Sequence, residues 1–404
     1  MAERVGTGPR VLYLIDSLTE GGAERSLLTM TRPFVTRGVG LDIGYLHERP
    51  GLHEEFRAAG ATLHPLNGPG GRRGWVSRTK RLVEQLKPDL IHTTLFESDL
   101  VGRVVGTITR VPLVTSLVNV AYGSEQRSDP GLQPWKIEAA RLADMVSARR
   151  VVRFHSITSH VAAVMGRRLR IAPERIEVIP RGRDPERLGE PSEARRERAR
   201  VALGIANGTP VVLAAARHEH QKGLDILVEA FPRVLRSVPD ARLFLAGREG
   251  LLTSKLHAIA ARHGLNGAVT FLGARKDVPE LLCAADICAI PSRWEGLAGI
   301  FLEAMALEAP IVATDLPSFN EMLDEDMARF VPAEQPVALA EAIIRTLAEP
   351  GEARERARHG RARFLRSFTV EPTAERMVDF YGRALRASRN GHALSGSRNG
   401  REGA

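Results

Sequence analysis

One pattern dominates the sequence: short aliphatic and β-branched runs alternate with helical stretches of about ten or more residues, and the series restarts midway. Runs at 11–15, 41–46, 90–92, 113–118, 153–157 and 175–179 read as buried strands, followed by a second series at 211–215, 243–246, 269–272, 287–290 and 311–313. Strands separated by helices need crossover connections, which enforce parallel pairing and helices on both sheet faces. A charged segment rich in proline and glycine, 180–191, separates the two series and places a boundary near Gly182. The expected fold is therefore α/β, with two Rossmann-like, doubly wound parallel-sheet domains at 1–182 and 183–370. Two such domains would present their strand ends to a cleft. The tail 388–404 is rich in Gly, Ser, Asn and Arg and is expected to be disordered.

Ordinary globular proportions fit this reading, with 43% hydrophobic and 26% charged residues. No apolar run approaches the roughly 20 residues of a membrane helix, and the polar start MAERVGTGPR has no signal-peptide core. The only cysteines, Cys283 and Cys288, sit among alanines and isoleucines. They read as buried thiols of a reducing compartment, so a cytoplasmic protein is expected. No Cys/His cluster has zinc spacing. The net charge of +9 comes mostly from arginines dense in 141–200 and 345–366, and it favours anionic partners or simply a solvated basic surface. With aromatics at 5% and no basic-aromatic platform, no nucleic-acid partner is expected.

Ligands of parallel α/β sheets sit beyond the carboxyl ends of the strands. The first strand ends at Asp16, and the chain then runs through Gly21-Gly22-Ala23-Glu24-Arg25 into a helix. Paired glycines let backbone approach a ligand, and a helix start offers free N–H groups to a diphosphate. An ordinary tight turn carries the same signature. In the second series, strand 211–215 leads to Arg217 and then Lys222-Gly223. A planar guanidinium and a compact ammonium can together neutralise a diphosphate leaving group without a metal. Two solvated loop cations are the plain alternative.

The longest local signal is the stretch 291–306, PSRWEGLAGIFLEAMA. Glu295 precedes a helix, Gly296 and Gly299 expose backbone N–H groups at its start, and Glu303 lies inside it among Phe301, Leu302, Ala304 and Met305. A carboxylate in so apolar a segment needs a partner, either ribose hydroxyls or a buried arginine.

The Glu295–Glu303 pair resembles the E-x7-E motif of retaining GT-B glycosyltransferases, and the chain as a whole is similar to glycosyltransferase family 4. Five further pieces follow in family order. They are Gly21-Gly22-Ala23-Glu24-Arg25, Ile157-Thr158-Ser159-His160-Val161, the linker Val178-Ile179-Pro180-Arg181-Gly182-Arg183-Asp184, the Arg217 to Lys222-Gly223 element, and Val269-Thr270-Phe271-Leu272-Gly273; Asn320-Glu321 resembles a later loop.

The resemblance implies a GT-B fold in which helix 371–387 returns to the first domain. It implies retaining, metal-independent transfer of a hexose or amino sugar from a nucleotide diphosphate sugar, UDP- or GDP-linked, with no cofactor. Arg217 and Lys222 would hold the diphosphate, Glu303 the ribose and Glu295 the sugar hydroxyls. Backbone at Gly296, Leu297, Ala298, Gly299 and Ile300 would touch sugar and phosphates, with Gly21 and Gly22 also on the donor and the base lying near Gly273. Asp16, Glu24, Asn119, Ser159 and Arg181 would face the acceptor, which is a glycan, a lipid-linked sugar or a small molecule.

Two departures stand out. Many family members carry a histidine where Asn119 stands, and asparagine orients a hydroxyl but does not titrate. The linker asparagine is replaced by Arg181.

Several motifs lead elsewhere. Asp324-Glu325-Asp326 spells a metal motif without the strand context it needs, so no metal is expected. His218 and His220 read as polar loop residues, and His92, His155 and His160 as structural or cleft-lining. Asn207-Gly208-Thr209 spells a glycosylation acceptor that has no meaning in an unsecreted chain. Residues 70–81 mix five cations with Trp75. They read either as a dock for an anionic membrane at its inner face or as a surface helix whose tryptophan packs inward. The competing functions are another GT-B enzyme, such as a sugar-nucleotide epimerase, and a non-catalytic nucleotide-sugar binder.

Overall fold

Helical crossovers make every strand pair parallel in the computed structural model, which describes residues 8–129, 131–206 and 208–398. Asn207 of the glycosylation triplet and residues 399–404 of the tail lie outside the described residues. The chain divides into two units. The first comprises the residues up to Tyr122, then Gln133–Gly182, then the residues from Val370 onward. The second comprises Gly123–Leu132 and Arg183–Thr369.

The first unit holds a seven-stranded sheet of order β3-β2-β1-β4-β5-β6-β7. Its strands are β1 (Arg10–Ser17), β2 (Gly40–His47), β3 (Thr62–Pro65), β4 (Leu90–Thr94), β5 (Leu113–Leu117), β6 (Arg153–Ser156) and β7 (Ile176–Val178). Strand order reverses between β1 and β4, so right-handed crossovers send helices to opposite faces on the two sides of that point. Helices α2 (Trp75–Leu86), α3 (Phe96–Thr109), α4 (Pro134–Ser147) and α5 (Ser159–Leu169) pack side by side on one face. Helix α1 (Gly22–Thr36) covers the other, together with the last helix, α9 (Val370–Arg398). Met377, Phe380, Tyr381 and Ala384 of α9 join Leu27, Met30 and Phe34 of α1 and Val11, Tyr13 and Ile15 of β1 in one core.

The second unit repeats the plan with six strands in the order β10-β9-β8-β11-β12-β13. They are β8 (Val211–Ala215), β9 (Arg242–Ala246), β10 (Val269–Gly273), β11 (Ile287–Ile290), β12 (Ile311–Thr314) and β13 (Ala328–Val331). Helices α6 (Leu224–Ser237), α7 (Gly299–Ala306) and α8 (Pro336–Ala348) surround the sheet. Leu227, Val228 and Phe231 of α6 and Leu339 and Ile343 of α8 pack on its strands. Strand order reverses between β8 and β11, and this switch point positions the site.

Two features differ from the sequence reading, and one alternative it left open is resolved. Two edge strands, β3 and β13, carry too few apolar residues to register as buried runs. The expected disordered tail is helical to Arg398. No proline interrupts 387–398, so a helix already nucleated in the core continues through the segment despite Gly391 and Gly396. In the basic segment 70–81, Trp75 is buried, edge-on to His47 with ring centroids 5.1 Å apart. Arg78 donates to the carbonyls of Leu66, Pro69 and Gly71 at 2.6–2.8 Å. The inward-facing helix is the reading that holds, because the indole is more stable in the core than in water.

Candidate active site

At the second unit's switch point, the loop leaving β8 and the loop leaving β11 meet. Gly223, with φ of +62°, lies so close to the second loop that a Cβ there would sit 1.9 Å from the Pro291 carbonyl oxygen, so only glycine fits. The contact brings Lys222 into an ion pair with Glu295, a residue only 7% exposed. Glu295 also accepts from Ser292 Oγ at 3.1 Å and from Gln221 Nε2 at 3.4 Å. One of the three Lys222 N–H donors is thus committed and two remain. Arg217, on the same loop, is half-buried and meets Glu219 at 3.8 Å. Arg293 braces the loops by donating to the His220 carbonyl and pairing with Asp225 at 2.8 and 3.0 Å. Burial pushes the Asp225 carboxyl up, but hydrogen bonds from Arg293 and Lys255 outweigh it and hold the group down at about 2.

Glu303 sits one turn into α7, whose N-terminus carries no side-chain cap. Its partner is Arg183, which donates from Nε at 2.9 Å. Arg183 is 4% exposed and is fixed by its own backbone, which donates to the Phe368 carbonyl at 2.9 Å. The guanidinium lies against the first turn of α7, where a Cβ on Gly299 would fall 2.1 Å from Nη2. Of the two sequence readings of Glu303, the buried-arginine one describes its protein contact, and the second carboxylate oxygen retains lone pairs for a ligand. Gly296, Leu297 and Ala298 are buried and Ile300 half-buried. Gly273 ends β10, and its carbonyl accepts from Gly247 at 2.7 Å. Lys222, Glu295 and Ser292 therefore form one cluster on the loops after β8 and β11, and Glu303 and Gly299 of α7 form a second with Arg183 of the linker. Arg217 shares the loop without touching either carboxylate.

Nothing in composition or spacing pointed to Arg183, which stood only as one of three arginines in the charged 180–191 segment. His218 is buried, with Nδ1 3.0 Å from Thr253 and Nε2 unpartnered, and burial lowers its pKa. Among the described residues, no three His, Cys, Asp or Glu side chains converge as metal ligands. Cys283 and Cys288 are free and buried, and burial pushes the Cys288 thiol up to about 12.

In the first unit, Asp16 bridges the other switch point. Its Oδ1 accepts from Ser98 N and Oγ at 2.8 and 2.7 Å at the start of α3, and burial raises its pKa. Glu24 is buried and turns back over Gly21, where Ser17 Oγ lies 3.4 Å from it. Gly22 is exposed at the first position of α1. Asn119 accepts from the adjacent Val120 N–H at 2.9 Å. Ser159 is exposed and opens α5, which Thr158 caps. Arg181 lines a small pocket, partly open to solvent, together with Tyr13, His92, Ser116 and His155.

Beneath that pocket runs a directed hydrogen-bond chain. It ends on the Ile179 carbonyl, which only accepts, so His155 Nε2 carries a proton and donates at 2.8 Å. Ser116 then donates to His155 Nδ1 at 2.8 Å, His92 Nε2 donates to Ser116 at 2.7 Å, and Tyr381 donates to His92 Nδ1 at 2.7 Å. Both imidazoles are satisfied while neutral. Burial drives His155 down to about 4 and His92 well below its ordinary value.

A family model described as Glycosyltransferase Family 4 matches residues 20–187, and one described as Glycosyl transferases group 1 matches 209–349. The chain is 24% identical over 371 residues to the alpha-D-kanosaminyltransferase of Streptomyces kanamyceticus, covering 86% of this chain and 91% of that protein. It is 29% identical over 216 residues to the lipopolysaccharide core biosynthesis mannosyltransferase LpsB of Rhizobium meliloti, a match spanning 52% of this chain and 61% of the relative. The crystal structure of Anabaena HepE in complex with UDP and glucose aligns with a TM-score of 0.81 at 22% identity, covering 93% of this chain and 99% of that one.

Proposed function

Because this chain belongs to the family 4, group 1 glycosyltransferases of the GT-B fold, we propose that it transfers a hexose or amino sugar from a nucleotide diphosphate sugar to an acceptor hydroxyl. The observation that carries the proposal is the pairing of Lys222 with Glu295 and of Arg183 with Glu303 at one switch point. That place in an open α/β sheet receives nucleotides. Lys222 and Arg217 neutralise the diphosphate, the uncapped start of α7 offers it backbone N–H groups, and Glu303 accepts from the ribose hydroxyls.

In the reaction, the bond from sugar C1 to the diphosphate oxygen breaks and C1 bonds to the acceptor oxygen. The hydroxyl proton passes to the departing diphosphate. Positive charge that offsets the leaving group lowers the barrier most when it is already in place. Retention of anomeric configuration and independence from metal belong to the same proposal, as does an acceptor, whether glycan, lipid-linked or small, held by the first unit near Asn119 and Arg181. Kanosaminyl and mannosyl transfer by the relatives support the reaction class.

A thermal-shift screen against UDP, GDP, ADP and their sugars tests the proposal, since ligand that binds only the folded state raises the melting temperature. Stabilisation by one diphosphate series, unchanged by EDTA and followed by acceptor-dependent turnover, is the expected result. Conversion of the sugar nucleotide with no acceptor present would show an epimerase instead.

A further inference from the structure

Helix α4 turns much of its apolar surface to water, although Ile137 is buried. Its buried positions include Asp144, which accepts from Arg103 of α3 and, at 2.8 Å, from Tyr122. Its exposed positions include three large apolar residues: Trp135 is 67% exposed, Leu142 44% and Val146 59%. These three residues share one stripe at helical spacing. On the adjacent α3, Val104 is 44% and Ile108 52% exposed. A helix on the surface of a globular unit normally shows water its polar face.

The charges around this face have one sign. The four acids of the two helices are all ion-paired: Glu97 with His47 and Arg72, Asp99 and Asp144 with Arg103, and Glu138 with Arg141. Lys136, Arg110, Arg149 and Arg150 are exposed on or beside the helices and form no ion pair among the described residues. The Lys136 ammonium lies 5.5 Å from the Trp135 ring centroid.

We infer that the α3–α4 face docks on an anionic lipid surface. Trp135 would sit at headgroup depth, Leu142, Val146, Val104 and Ile108 would enter the acyl boundary, and the four cations would meet lipid phosphates. Among the described residues no helix is long and apolar enough to cross a membrane, so the contact is peripheral. It is a different surface from residues 70–81, whose tryptophan is buried. The inference does not depend on the proposed transfer, because its readout is physical binding.

The chain carries its own probe. Of its three tryptophans, Trp75 and Trp294 are buried and only Trp135 is exposed. The full chain is titrated with vesicles of phosphatidylcholine alone and with phosphatidylglycerol admixed. Expected are a blue shift of emission with the anionic vesicles, quenching by brominated acyl chains, and roughly tenfold or weaker partition onto the zwitterionic ones. The pair Leu142→Glu and Val146→Glu, both at exposed positions, abolishes the shift while far-ultraviolet circular dichroism is unchanged. Arg149→Glu with Arg150→Glu weakens binding and flattens its salt dependence. Absence of any shift, binding that survives Leu142→Glu with Val146→Glu, or a lipid-free dimer buried on this face would each overturn the inference.

Discussion

Replacing His155 by glutamine removes one of two imidazoles that the fold keeps neutral. In the native chain burial holds His155 at about 4, against an ordinary value of 6.5. As pH falls below 6.5 the unfolded chain takes up a proton that the folded chain refuses, so stability is complete above that pH and is lost on acidification. Each pH unit between those two values removes about 1.4 kcal/mol. The loss from this one residue is therefore about 2 kcal/mol at pH 5 and about 3 kcal/mol at pH 4. His155→Gln is less stable at pH 7.5, by about 1–3 kcal/mol, because Ser116 loses its acceptor. Its stability then falls less steeply between pH 6.5 and 5. Urea unfolding at pH 7.5, 6 and 5, followed by a signal from the first unit, measures both slopes. Parallel slopes for the two proteins would refute the neutral chain, as would histidine proton shifts that titrate near pH 6.5 at both buried sites.

Two further outcomes follow from buried ion pairs. Arg183→Met should leave overall diphosphate affinity measurable but erase most of the roughly 10–100-fold preference for ribose over 2′- and 3′-deoxyribose nucleotides, with Arg183→Lys restoring part of it, as titration calorimetry would show. Arg103→Met strands Asp144 and Asp99, the latter already pushed up to about 7 by burial, and should cost about 3–5 kcal/mol in a melting experiment without altering nucleotide affinity.

The alternation of strand and helix showed both sheets in the sequence because buried parallel strands are continuous apolar runs. Edge strands such as Thr62–Pro65 escape this signal, since only part of each is covered. In the site, Lys222, Glu295 and Glu303 were legible because short motifs place them next to glycines and strand ends. Arg183 was not, because its carboxylate partner lies 120 positions away in sequence and meets it only through the backbone tether to Phe368. Tyr381, which is 289 positions from His92, is hidden for the same reason. The apolar face of α4 was concealed differently: periodicity shows that a helix has an apolar stripe, but only packing shows which way it points.

Titration calorimetry of UDP, GDP and ADP against the native chain and against Arg217→Ala with Lys222→Ala tests the central claim most directly. One nucleoside diphosphate should bind with EDTA present, and binding should weaken by roughly 10–100-fold or more in the double variant, two charge-assisted contacts being lost. Equal affinity for the diphosphate in both proteins, or no binding of any diphosphate to the native chain, would contradict the assignment of this switch point as the donor site.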